Sequence, residues 1–203
     1  MHIEFLVEEE SAEAALQLLV PKIVGPQVSF HVHSFQGKRR LLDNLAARLR
    51  GYREWLPDDW RILILVDADR EDCRALKARI ENTALNAGFN TASSPATNGI
   101  FHLINRLAIE ELEAWFFGDV DAIRSAYPGV PETLSNRRGF RDPDAIAGGT
   151  WEALERVLQK ASYYRAGLPK IEVARNVSRH MEPNRNRSRS FQLFRDALRR
   201  LVQ

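Results

Sequence analysis

The sequence predicts an α/β fold, a mostly parallel sheet flanked by helices with a helical C-terminal extension. Three observations predict it. Over the first hundred positions the apolar residues switch back and forth between alternation in twos and helical spacing. One run, Ile62-Leu63-Ile64-Leu65-Val66, is apolar without interruption, as suits a parallel strand covered on both faces. Beyond Ser93-Ser94-Pro95 the strand pattern gives way to helical spacing. The expected division is a core over residues 1–108 and a helical extension over 109–203 packed on it.

Taken in order, Ile3, Phe5 and Val7 alternate on a first strand, His2 to Val7. Ala12, Ala15, Leu16, Leu19, Val20 and Ile23 then recur at helical spacing from Ser11 to Ile23. After Gly25-Pro26 the unit repeats, with Val28, Phe30 and Val32 alternating and Leu41, Leu42, Leu45, Ala46 and Leu49 marking a helix that Gly51 should end. The apolar run at 62–66 is the expected central strand. A helix follows from about Asp72 to Ala87, with Gly88 placed as its C-terminal stop and Phe89 to Ala92 as a short fourth strand. Phe101 to Ala108 fits either strand or helix. Helices are expected at Glu110 to Phe117, Thr150 to Ala161, Lys170 to His180 and Ser190 to Val202. Turn-rich stretches at 127–131 and 139–149 separate them, and a polar, mobile linker runs from Glu182 to Arg189.

Composition excludes several classes. With 203 residues, 44% hydrophobic and 28% charged, the chain has the make-up of an ordinary globular protein. No apolar run approaches the roughly 20 residues of a membrane span. The acidic start, with Glu4, Glu8, Glu9, Glu10 and Glu13 before any lysine or arginine, is the opposite of a secretory signal, and a cytoplasmic protein is expected. A single cysteine, Cys73, excludes an internal disulfide and a thiolate zinc cluster; on the apolar stripe of its helix it reads as a small core residue. Neither a phosphate-binding glycine loop nor a dinucleotide fingerprint is present. His31 and His33 share one strand face but have no third nitrogen or sulfur partner for zinc.

Charge is segmented although the net value is only +2. Lys38, Arg39, Arg40, Arg48, Arg50 and Arg53 face one acid, Asp43, and the chain from Arg179 onward holds seven arginines against two acids. Such clusters suit phosphates, or form a solvated helix face and a basic tail. Lys38, Arg39, Arg40, Lys170 and Arg189 are the candidate nucleic-acid contacts.

In a parallel sheet, ligands gather outside the carboxyl ends of the strands. The first strand runs directly into Glu8-Glu9-Glu10 and the third into Asp67-Ala68-Asp69, so both acidic clusters should leave the same edge. In extended backbone Asp67 and Asp69 project to one side. Oxygen donors of this kind suit Mg²⁺ or Mn²⁺, which take one or two protein carboxylates, waters and substrate phosphate oxygens. The candidate catalytic and metal-binding residues are Glu8, Asp67 and Asp69, with Glu113 as one further carboxylate and phosphodiester hydrolysis as the chemistry. The competing reading makes one of the aspartates a cap for the helix near Asp72. A third possibility is small-molecule phosphoryl transfer with Asp67 as nucleophile.

Leu6-Val7-Glu8-Glu9 and Ile64-Leu65-Val66-Asp67-Ala68-Asp69 resemble the glutamate and Asp-X-Asp motifs of the TOPRIM fold, found in topoisomerases, primases and nucleases of the overcoming-lysogenization-defect type. Glu110-Glu111-Leu112-Glu113-Ala114-Trp115-Phe116-Phe117-Gly118-Asp119, Arg141-Asp142-Pro143-Asp144 and Arg187-Ser188-Arg189-Ser190-Phe191 resemble the signatures of a bacterial TOPRIM-like family of unknown function. The resemblance implies a divalent-metal fold, nucleic-acid chemistry in a phage-defence or mobile-element setting, and an AAA-type ATPase encoded nearby as partner. A homo-oligomer, or a non-catalytic effector that docks on that ATPase, is compatible with it. Where the TOPRIM pattern has glycine after the first glutamate, this chain has Glu9, which leaves the choice between Glu8 and Glu9 open.

Overall fold

A computed structural model describes residues 1–203. Its sheet has four strands, β1 (His2–Val7), β2 (Ser29–Ser34), β3 (Trp60–Asp67) and β4 (Leu103–Ala108), in the order β2-β1-β3-β4. Every pairing is parallel, with Leu6 opposite His33 and Ile64, and Asp67 opposite Ala108. The α/β architecture expected from the alternation is therefore the one observed.

Strand periodicity sorts the core into two layers. Ile3, Phe5, Val7, Leu63 and Leu65 face α1 (Glu10–Val24), where Ala15, Leu16, Leu19, Val20 and Ile23 meet them. Leu6, Ile62, Ile64 and Val66 face the other way, against Leu41, Leu45, Leu49 and Tyr52 of α2 (Lys38–Trp55) and Leu76, Ile80 and Ala84 of α3 (Cys73–Asn86). The remaining helices are α4 (Glu113–Phe117), α5 (Val120–Ala126), α6 (Thr150–Lys160), α7 (Lys170–His180) and α8 (Arg189–Leu201). They lie on the α1 side: α7 packs on α1 and α5, and α8 packs on β4 and α1. One apolar cluster runs from Ile3 through Trp115, Val177 and Phe194 to Leu201, so sheet and helical half share a core. No helix is long and apolar enough to cross a membrane.

Several local expectations are corrected. Gly51 does not end α2, because the apolar face continues through Tyr52, and the last helical bond joins the Leu56 amide to the Tyr52 carbonyl at 2.7 Å. The burial of Tyr52 offsets the roughly 1 kcal/mol that glycine costs within a helix. Phe89 to Ala92 is not a strand; only Thr91 bridges to Leu103, and β4 comes from the ambiguous 101–108 segment. Gly88 does follow the end of α3 in the left-handed region, at φ 84°. The helix expected over 110–117 is reduced to five residues. Cys73 is not a core residue but opens α3, half-buried, just after the Asp72 cap. The expected mobile linker is anchored: Pro183, Asn186 and Ser188 are buried, with Asn186 donating to the Trp115 carbonyl at 2.7 Å.

Candidate functional site

The carboxyl edge of the sheet brings the acidic clusters together. Glu8 leaves β1 as Asp67 closes the neighbouring β3, and the Asp67 amide donates to Glu8 Oε1 at 2.8 Å. Glu8 is fixed from the other side by its own carbonyl, which accepts from the Gly37 amide at 2.8 Å. Residues 59 positions apart therefore deliver their carboxyl groups to one place. β4 supplies the next wall. The Ala68 amide donates to the Ala108 carbonyl at 2.9 Å and the Asp69 amide to the Glu110 carbonyl at 2.7 Å, which draws the 110–113 segment over the same edge.

Electrostatics mark three of these acids. Burial pushes the Glu8 carboxyl up to about 7, against the pull of the Asp67 amide and Lys38. Burial, and then the charges of Glu8, Glu113, Asp69 and Glu111, raise Asp67 well above the ordinary carboxylate range. Glu113, 4% exposed, is pushed up to about 7, chiefly by burial. Two lysines flank them. Lys38 pairs with Asp69 at 2.5 Å and Glu71 at 3.0 Å; burial would lower its ammonium, but these carboxylates hold it raised. Lys170, at the start of α7, pairs with Glu9 at 3.4 Å and lies 4.9 Å from the centre of the Trp151 ring. Beside the buried acids an open cleft of about 380 Å³ is lined by Asp69, Glu71, Glu110, Glu111 and Glu152 with Arg70.

Of the expected metal residues, Glu8, Asp67 and Glu113 converge, Glu8 and Glu113 buried and Asp67 half-buried. Asp69 joins the same edge differently from expectation. β3 ends at Asp67 and Asp69 adopts φ 48°, so the two carboxylates do not follow strand alternation, and Asp69 turns to Lys38. The capping alternative is answered by Asp72, whose own carboxylate accepts from the Arg74 and Ala75 amides at 2.8 and 3.1 Å. Glu9 is held by Lys170, whereas Glu8 is the acid that touches Asp67. Lys38 and Lys170 are present, each engaged with a carboxylate. Arg39 and Arg40 follow Lys38 in the first turn of α2 and are exposed, Arg39 pairing with Asp43 at 3.5 Å and Arg40 with Gln36. Arg189 opens α8 in solvent, and no hydrogen bond or ion pair ties it to the acids.

One participant, Glu71, was not singled out by spacing, and a second, Glu111, belongs to the 110–113 glutamates from which one further carboxylate was expected. Glu71 completes the Lys38 pairing, and Glu111 accepts from Thr150 Oγ1 and the Trp151 amide, both at 2.9 Å, fastening the N-terminus of α6 to the acidic edge.

The acids are neighbours and not a finished cage, since no three acidic or imidazole side chains stand together at ligand spacing. The donor set nevertheless fits Mg²⁺ or Mn²⁺. It is all oxygen, Glu8 and Glu113 are buried, and its charge is countered only at the periphery by Lys38 and Lys170. Mg²⁺ needs only one or two protein carboxylates, with water and phosphate completing the shell.

The solved C-terminal region of the Xanthomonas campestris pv. campestris OLD protein resembles the chain over 98% of this chain and 95% of that one, with a TM-score of 0.50 and 15% sequence identity. At that identity the likeness concerns the fold. No curated protein matches the chain. A family profile described as "Domain of unknown function (DUF4276)" matches residues 7–200, nearly the whole length, and the chain belongs to that family.

Proposed function

We propose that the chain is a phosphodiesterase of nucleic acid that works with Mg²⁺ or Mn²⁺. The observation that carries this reading is the convergence of Glu8, Asp67 and Glu113, two buried carboxyls and one half-buried, at the carboxyl edge of a parallel sheet with raised proton affinity and no cation in contact. A buried, uncompensated set of acids is costly unless it binds protons or metal. Glu8 and Asp67 would hold the ion, with Asp69 and Glu113 at its flanks. When bound, it supplies charge neutralisation at the phosphoryl oxygens and a more acidic water.

The chain's own residues do the rest. Lys38 and Lys170 stand on either side of the acids as mobile point charges for the phosphates adjoining the scissile one. Arg39 and Arg40, solvated at the start of α2, extend that contact along the backbone. Glu8 holds the Asp67 amide, which fixes the height of the two strand ends relative to each other. The likeness to the OLD C-terminal region supports the reading at the level of fold.

The test is Asp67→Asn. Mn²⁺-dependent cleavage of nucleic acid is expected to vanish, while the thermal melt without metal moves little, because the change keeps the side chain's size and breaks no ion pair. Saturating Mn²⁺ should stabilise the wild-type chain by about 2.7 kcal/mol at a hundredfold excess over Kd, and not the variant. Cleavage retained by Asp67→Asn overturns the assignment. A second reading has its own observation: Asp69 and Glu71 are already satisfied by Lys38, as expected if the acids serve the fold of an effector that docks on an ATPase. Calorimetry showing no Mg²⁺ or Mn²⁺ binding, with a stable complex with such an ATPase, favours that second reading.

A further inference from the structure

Helix α6 separates two cavities of opposite charge. Glu152 in its first turn and Gly149 just before it line the acidic cleft. Ala153, Arg156, Val157 and Lys160, at i, i+3, i+4 and i+7, form a single face that lines another cavity of about 380 Å³, within the size range of small-molecule sites. Leu134, Phe140 and Ile146, from the turns between α5 and α6, close that cavity with apolar surface. Its only charged lining residues are Arg137, Arg156 and Lys160. All three are exposed, and none takes part in an ion pair.

We propose that this cavity binds a free nucleoside di- or triphosphate, with the base against the apolar wall and the phosphates at Arg137, Arg156 and Lys160. Charge complementarity selects the ligand class. Three unpaired cations with no acid among them repel a metal ion, and a single carboxylate, as on an acyl chain, leaves two of them unmatched. A terminal phosphate carries about −1.5 to −2 at neutral pH, so a diphosphate chain meets three cations. The flat partners suit a base: the Phe140 ring lines the cavity, and arginine guanidinium planes stack on aromatic rings. The site uses side chains on a helix and turns, which is why no glycine-rich phosphate motif announces it.

The experiment is calorimetric titration of the full chain with ADP in EDTA, without metal, so that the acidic cleft's chemistry does not enter. A saturable isotherm of one ADP per chain is expected. Arg156→Glu combined with Lys160→Glu, both solvent-exposed, should weaken binding at least tenfold. Gly139→Trp should abolish it, because Gly139 lines the cavity and an added Cβ there meets nothing within 4 Å. Should Gly139→Trp fail to fold by circular dichroism, the charge reversal decides alone. The proposal is overturned by the absence of saturable heat, or by an isotherm that the charge reversal leaves unchanged. A 5′-phosphorylated oligonucleotide that binds where ADP does not, and is weakened by the same variants, overturns the free-nucleotide assignment in favour of a strand end.

Discussion

Glu4 shows what one misplaced charge requires of its surroundings. It is the only acid on β1, on the strand's α2 face and 5% exposed. Tyr52 of α2 donates to it at 2.7 Å, His2 lies at 3.1 Å, and His33 of β2 makes a shorter contact while Arg48 reaches the His33 ring at 3.0 Å. His31 stacks on His33, and Trp60 of β3 packs against His2. Burial alone would raise the Glu4 carboxyl, but the hydrogen bonds from Tyr52 and His33 hold it below its ordinary value. His33 is also held low, by burial and by Arg48 and His31 against the pull of Glu4. Both shifts have the same consequence. Below about pH 6.5 the unfolded chain takes up a proton at His33 that the folded chain resists. Below the ordinary glutamate value near 4.3, where the unfolded carboxyl takes up its proton, the contribution of Glu4 is lost as pH falls through its lower folded value. The raised carboxyls of Glu8, Asp67 and Glu113 act in the opposite sense over the same range, so the test is a difference: in urea midpoints measured from pH 7.5 to 3.5, Glu4→Gln, less stable than wild type at neutral pH, should converge on it in acid, and a gap constant with pH refutes the account. The acids of the cleft are easier to read than Glu4. Glu8 and Asp67 follow strands directly, and a parallel sheet delivers such residues to one edge. Glu4 is paired with residues 29 and 48 positions away, and Glu111 with Thr150, 39 away, so no local pattern declares them.

At the scale of elements, periodicity identifies what is regular and fails where side chains substitute for backbone bonding. The strands β1, β2 and β3 and helices α1, α6, α7 and α8 are legible because each presents one apolar face at its own period. The 182–189 segment reads as a loose linker because it is polar, yet its polar groups are consumed internally. Asp119 accepts from the Glu182 amide at 2.8 Å and holds the Arg185 guanidinium at 2.9 and 3.0 Å. Asp144 accepts from Ser188 Oγ at 2.7 Å and the Ser190 amide at 2.9 Å. The Arg187 amide donates to the Gly118 carbonyl at 2.9 Å, so the segment lies flat on the end of α4. That approach leaves no room at Gly118, where an added Cβ would stand 2.0 Å from Asn186 Oδ1 and 2.8 Å from the Ser188 amide nitrogen. Gly118→Ala should therefore destabilise by roughly 1–3 kcal/mol although its backbone is ordinary helix, lowering Tm by about 2–4 °C for each kcal/mol. Gly51→Ala, on the exposed side of α2 where a Cβ meets nothing within 4 Å, should be neutral or stabilise by up to about 1 kcal/mol. Equal melts for Gly118→Ala and wild type would mean that the segment is as loose as its composition suggests.

Over the whole molecule the two halves of the chain depend on each other for their core. The α1 side of the sheet is covered by α1 itself, but α1 needs α7 and α8: Val173, Val177, Phe194 and Leu198 belong to the same buried cluster as Ile3, Phe5 and Leu16. Lys22 of α1 reinforces that contact, donating to the carbonyls of Ser178, Arg179 and Met181 at 3.2, 2.7 and 2.9 Å and so closing the C-terminal end of α7, where a positive charge opposes the helix dipole. The same packing completes the acidic edge, since Glu113 and Lys170 come from the second half and Glu8 and Asp67 from the first. A chain cut after residue 108 keeps all four strands but exposes the face of α1 that α7 and α8 cover, together with the outer surface of β4. Exposed apolar surface on that scale drives association and loosens side-chain packing. The fragment 1–108 is accordingly expected to show strand and helix signal in the far ultraviolet, no cooperative thermal transition, and binding of a hydrophobic dye, whereas the full chain melts in one transition. Adding residues 109–203 as a separate polypeptide should restore the transition if shared burial is what the fragment lacks. A sharp melt from 1–108 alone, near that of the full chain, would show that the first half carries an independent core and that the helical half is an addition to it.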